Sequence, residues 1–275
     1  MKDNMEDEKY TENSPVLSIF QTESILNQMK RSVCQIEIGS SKGTGFFCKI
    51  STYNNESKKV LMIAFHTLNP ESSNNLKIYM NNGEEFTTIK LDNSRIIYKI
   101  KEQDLIIIEI TSDDKIKCDY LELDYDYNEQ NINDLNKKLI YILQYPNGKG
   151  CQASFGQLYT ILNPRQFNIK HNCSTEYGSS GSPIILLENS KVIGFHLQRH
   201  SIYNINGGNF IFYAINFFKN IHQQNIKHFP EDFILIENNN NTERKTYNVN
   251  SSFIFNNLNF TKNKSEKKLF AVVII

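Results

Sequence analysis

Ser180 stands in the run Gly178-Ser179-Ser180-Gly181-Ser182-Pro183, directly before the apolar run Ile184-Ile185-Leu186-Leu187. Small residues packed before a strand make a sharply turned loop. Such a loop can hold one hydroxyl outward and aim backbone N–H groups at a common point. A serine nucleophile needs this arrangement, an exposed Oγ beside backbone donors for a developing oxyanion. Gly178 would supply one N–H with no side chain in the way, and Ser180 the other. Two further residues sit at the edges of apolar runs. His66 ends Val60-Leu61-Met62-Ile63-Ala64-Phe65, and the turn Asn69-Pro70 follows it. Asp104 opens Leu105-Ile106-Ile107-Ile108-Glu109-Ile110. Each also has a plainer reading: a small-residue turn, a core or rim histidine, an aspartate serving a turn.

Taken together, these motifs resemble those of the trypsin-like serine peptidases of the chymotrypsin fold (the PA clan), whose serine loop reads Gly-x-Ser-Gly-Gly/Ser-Pro. The resemblance implies a nucleophile at Ser180, a general base at His66 and an orienting carboxylate at Asp104. It places the oxyanion hole at the backbone N–H groups of Gly178 and Ser180. The order His66, Asp104, Ser180 is that of chymotrypsin-like enzymes and differs from the subtilisin and α/β-hydrolase orders. The hydrolase elbow Gly-x-Ser-x-Gly is missed, because position 182 is serine and a strand rather than a helix follows. Asp92 also follows a strand-like run and competes for the third position of the triad; Asp104 is preferred because it opens the stronger apolar run.

Other segments extend the resemblance over about residues 30–225. Gly43-Thr44-Gly45-Phe46-Phe47 is similar to the family's hairpin before the histidine, Tyr141 to Pro146 to the strand opening its second barrel, and Val192 to His196 to the strand lining its specificity pocket. Around the pocket the motifs are most similar to those of bacterial glutamyl endopeptidases. There, a threonine and a histidine at the places of Thr175 and His196 bind an acidic side chain. Hydroxyl and imidazole donors suit a carboxylate or an amide, which implies cleavage after Glu or Gln. His196 as a packing residue stands beside that reading. Three departures from the pattern are Arg199, which either blocks the groove or binds an acidic substrate, Ser179 in place of the family's activating aspartate, and the bulky Phe65 before His66.

Strand-like runs rich in Ile, Val, Phe, Tyr and Thr fall at 33–39, 43–50, 60–65, 76–81, 86–91, 95–100 and 105–110. A second series falls at 138–145, 152–162, 166–172, 183–188, 191–198 and 209–215, with Asn, Gly and Ser turns between runs. The expected fold is all-β: two packed six-stranded antiparallel barrels of chymotrypsin-like type, a short C-terminal helix and a C-terminal extension. The expected division is a polar, partly disordered leader at 1–29, with a short amphipathic helix from Ser18 to Met29, then a first barrel at 30–125 carrying His66 and Asp104. A second barrel at 126–225 carries Ser180, and an extension of unassigned role follows at 226–275. The polar stretch Asp124 to Asn136 suits a linker, and Asn216 to Gln224 a closing helix. Pro146-Asn147-Gly148-Lys149-Gly150 lacks phosphate-loop spacing and reads as a hairpin turn.

Composition bounds the function classes. The chain has 275 residues, with 30 basic and 30 acidic side chains and a net charge of zero. It carries no basic stripe with interleaved aromatics, so nucleic acid is not indicated. No apolar run approaches the ~18 residues of a membrane span. The start lacks an apolar signal region, and Cys34, Cys48, Cys118, Cys151 and Cys173 show no pairing pattern and no Cys-x-x-Cys spacing. Free thiols in a reducing, cytoplasmic setting are expected, with no zinc site and no cofactor. The sequence therefore points to a serine endopeptidase acting on a peptide or protein. A catalytically inactive trypsin-like domain, binding peptides or holding a protein partner through residues 226–275, is the alternative. A serine esterase of another fold is disfavoured by triad order and strand content.

Overall fold

The computed structural model describes residues 15–52, 56–67, 75–92, 95–128, 130–160, 168–200 and 205–224. Residues 1–14 of the expected leader and the extension at 226–275 lie outside the described residues. The chain opens with helix α1, Ile19–Arg31. Ser18 caps it through a reciprocal box with Gln21, and Lys30 and Arg31 fall in its last turn, where cations favour the helix dipole.

The first sheet holds β1 (Val33–Ile38), β2 (Ser41–Ser51), β3 (Ser57–Ala64), β4 (Asn75–Met80), β5 (Glu85–Lys90), β6 (Ile97–Ile100) and β7 (Leu105–Glu109). Its order is β5-β4-β1-β2-β3-β7-β6. Because β5 and β6 form its two edges, this unit is an open seven-stranded half-barrel rather than a closed six-stranded one. The second unit holds β8 (Leu139–Gln144), β9 (Gln152–Thr160), β10 (Asn168–His171), β11 (Pro183–Leu186), β12 (Val192–His200) and β13 (Ile205–Phe210). It closes into a barrel in the order β10-β13-β12-β11-β8-β9. The fold class is thus all-β and chymotrypsin-like.

Alternation along the strands divides the core. On β3, Leu61 and Ile63 face the interior of the first sheet with Phe47, Ile106 and Ile108. Val60 and Met62 face the other way, into a cluster shared with Tyr141, Leu143, Ile185 and Phe195 of the second barrel. The second barrel fills its own interior with Ile140, Ile142, Leu158, Ile169 and Ile184. Residues 209–215, expected as one strand, divide. β13 ends at Phe210 and helix α2, Ile211–Gln224, begins at once. The reason is spacing: Ile211, Ala214, Ile215 and Phe218 are buried at helical intervals against the shared cluster.

The connector between β7 and β8 is tied down rather than loose. Leu121 and Leu123 bridge Cys48 and Val192, and Asp124, buried, accepts from Asn189 Nδ2 at 2.9 Å. All five cysteines are free thiols. Burial raises their pKa, to about 12 for Cys151 and Cys173, so they are protonated at neutral pH. No helix among the described residues is long and apolar enough to cross a membrane.

Candidate active site

His66 and Asp104 are brought together by the pairing of β3 with β7. Ala64 lies opposite Leu105, so the chain leaving β3 meets the turn entering β7. The turn Phe65–Thr67 follows directly and is pinned by the Thr67 hydroxyl donating to the Ala64 carbonyl at 2.6 Å. Asp104 adopts a left-handed conformation with φ 52°, which Asp tolerates better than most residues. In that conformation it serves three contacts. Its carbonyl accepts from Phe65 N–H at 2.9 Å, Oδ1 accepts from His66 N–H at 2.8 Å, and Oδ2 lies 2.6 Å from His66 Nδ1. Asp92 sits instead in the turn after β5, where its carbonyl accepts from Arg95 N–H at 3.2 Å. Phe65 is half-buried against the core of the first sheet.

Ser180 lies in the loop between β10 and β11. Gly178 and Gly181 both have φ +89°, and a Cβ on Gly181 would fall 2.1 Å from the Thr44 carbonyl oxygen. Only glycine fits there. Ser179 is fully buried and accepts from Glu176 N–H at 3.1 Å through its hydroxyl, a local bond where an aspartate would seek a cation. The Ser182 hydroxyl donates to the Ser179 carbonyl at 2.6 Å. The Gly178 and Ser180 N–H groups donate to no group among the described residues. The Ser180 hydroxyl itself donates to the Leu197 carbonyl at 2.8 Å. Pro146–Gly148, read as a hairpin turn, is a short turn between β8 and β9 against this loop.

One open cleft of about 610 Å³ joins the parts: His66 from the first sheet, Thr175, Ser180, His196 and Leu197 from the second barrel. His196 is 3% exposed and its Nδ1 lies 3.1 Å from His171 Nε2, itself fully buried. Burial lowers both imidazoles, His171 to about 4 and His196 to about 3, with the neighbouring His171 and then His66 adding to the latter. Both rings are therefore neutral near pH 7. His171 is a partner that the sequence reading did not single out. A signal existed: His171 is two residues from the core residue Ile169 and so faces the barrel interior. Arg199 lies on β12 opposite Asn206, and its side chain lies outside the described residues.

No protein-family model and no curated protein sequence matches the chain. Solved structures do. The Rv3671c protease in its inactive form is 17% identical with a TM-score of 0.52, over 73% of this chain and 95% of that one. A mutant of Rv3671c from M. tuberculosis H37Rv, also in its inactive form, is 17% identical with a TM-score of 0.54, over 76% and 98%. The serine endoprotease from Yersinia pestis is 13% identical with a TM-score of 0.55, over 81% of this chain and 75% of that one. At this level of identity the likeness speaks for architecture, and with the half-barrel and closed barrel described above it gives the chain the trypsin-like two-barrel fold.

Proposed function

We propose that the protein is a serine endopeptidase that works through an acyl-enzyme. One observation carries the reading: a histidine held by a carboxylate at 2.6 Å shares a cleft with a serine flanked by two uncommitted backbone N–H groups. Ser180 Oγ attacks the scissile carbonyl carbon while His66 Nε2 takes the hydroxyl proton. Asp104 holds Nδ1–H, fixes the tautomer and stabilises the imidazolium. The negative oxygen of the tetrahedral intermediate lies on Gly178 and Ser180 N–H. As the C–N bond breaks, His66 returns the proton to the leaving amine. Water, deprotonated by the same imidazole, then attacks the ester carbon; the bond to Ser180 Oγ breaks, the carboxylic acid leaves, and His66 returns the proton to Oγ. Ser180 must first leave the Leu197 carbonyl, by rotation about its Cα–Cβ bond.

Thr175 and His196 line the cleft and support a preference for Glu or Gln before the cut, with the Thr175 hydroxyl and the His196 ring as its polar groups. Arg199 is kept in this reading as a residue of the substrate groove. The second reading, an inactive peptide-binding or scaffold module, draws its support from the Ser180 hydroxyl resting on Leu197 instead of on His66. A fluorophosphonate probe separates the two, since only an activated serine displaces its fluoride. Labelling at Ser180 that is lost in His66→Ala is the expected result. A folded protein that never labels leaves the binding module.

A further inference from the structure

We propose that Thr44 is a positioning residue: its hydroxyl reaches from the first sheet into the second barrel and holds the oxyanion loop with the Gly178 N–H aimed at the cleft. The proposal rests on the serine-peptidase reading above. Thr44 lies on β2 and is fully buried. Its Oγ1 donates to the Gly178 carbonyl at 2.8 Å and accepts from Tyr145 N–H at 3.0 Å. Its own N–H donates to the Ser180 carbonyl at 2.9 Å. One residue of the first sheet therefore ties down both the loop bearing the nucleophile and the turn beside it.

Peptide geometry does the aiming. A trans peptide points its C=O and N–H in opposite directions. The Tyr177 carbonyl accepts from Asn147 N–H at 2.6 Å, so the Gly178 N–H on the same peptide is turned away from that turn. The Ser179 carbonyl accepts from Ser182 N–H at 3.1 Å and from its hydroxyl at 2.6 Å, which sets the Ser180 N–H in the same manner. Gly178 stands between an anchored peptide on one side and the Thr44-bound carbonyl on the other. With φ +89° and no side chain it can rotate where a larger residue would resist, as can Gly181. Thr44 Oγ1 is the sole donor to its carbonyl among the described residues. The same oxygen also receives Tyr145 N–H at the start of the turn that carries Asn147. Loss of the hydroxyl thus leaves the Gly178 carbonyl without its donor and the Tyr145 N–H without its acceptor, so the peptide after Gly178 keeps only the Ser179 N–H bond to the Glu176 carbonyl at 3.1 Å, while the Ser180 side chain and the His66–Asp104 pair keep their contacts.

The test uses the full chain, an alkyl fluorophosphonate, and the saturation kinetics of labelling at Ser180 read by mass spectrometry, with far-UV circular dichroism and Tm on each variant. Thr44→Val removes the hydroxyl at nearly constant shape. It should lower the maximal labelling rate by about tenfold or more, with the half-saturating probe concentration within about threefold, because the phosphonyl oxygen occupies the oxyanion site during reaction. Thr44→Ser should restore the rate to within about threefold of the natural protein. Thr44→Ala, which adds no atoms, serves as the hydroxyl-free variant should the valine not fold. A folded hydroxyl-free variant that labels within about twofold of the natural rate overturns the proposal. So does a Thr44→Ser protein as slow as the hydroxyl-free ones, since packing of the methyl would then be the cause. A natural protein that does not label at Ser180 overturns the serine-peptidase reading itself, a result distinct from either.

Discussion

Asp104 commits a carbonyl and both carboxylate oxygens to Phe65 and His66, so the imidazole is fixed from its backbone as well as from its ring. The Ser180 hydroxyl is held less tightly, by one bond to the Leu197 carbonyl. The His171–His196 pair behind it has a consequence for stability. Both imidazoles sit below their ordinary 6.5 because burial disfavours the charged ring. Above pH 6.5 neither state of the chain protonates them and their contribution is fully present. From pH 6.5 down to about 4 the unfolded chain binds protons that the folded chain refuses, so stability falls with falling pH. The slope approaches about 1.4 kcal/mol per pH unit for each imidazole. A Tm profile should therefore drop through this window, and more shallowly in His171→Gln; an unchanged slope in that variant would assign the drop to other groups.

At the scale of elements, the register of β3 on β7 builds the His66–Asp104 pair, because it sets Ala64 opposite Leu105 and so His66 beside Asp104. Helix α2 performs a different task, closing the shared cluster. Phe218 is fully buried and meets the Tyr98 ring edge-on with centroids 5.1 Å apart. Phe218→Ala should cost about 3–5 kcal/mol of unfolding free energy, read by urea titration, since a cavity remains where the ring packed. A loss under about 1 kcal/mol would mean that α2 is not anchored there. The run 209–215 shows how such an element hides. Phe210-Ile211-Phe212-Tyr213-Ala214-Ile215 is apolar throughout and has no polar residue to reveal its period. Only packing against the shared cluster selects the helix after Phe210.

At the scale of the molecule, the two units are joined by one apolar cluster that draws on both sheets and on α2. Thr44 and the tied connector add polar links across the same boundary. We expect one cooperative unfolding transition, with calorimetric and van't Hoff enthalpies equal and tyrosine fluorescence coincident with circular dichroism. Two resolved transitions would show that each unit stands alone.

The sequence by itself determined the residue types of the candidate site and their order, because a sharply turned serine loop needs glycines and a buried strand needs an apolar run, and both are local demands. His66, Asp104 and Ser180 could be named before any coordinates, as could nearly every strand and α1. Tertiary structure alone decided the openness of the first sheet, the pairing of His196 with His171, the acceptor of the Ser180 hydroxyl and the contacts of Thr44 with Gly178 and Tyr145. Each of these is a contact between segments far apart in the chain. Its partners are chosen by sheet register and by the approach of two packed units, and neither leaves a trace in the spacing of neighbouring residues.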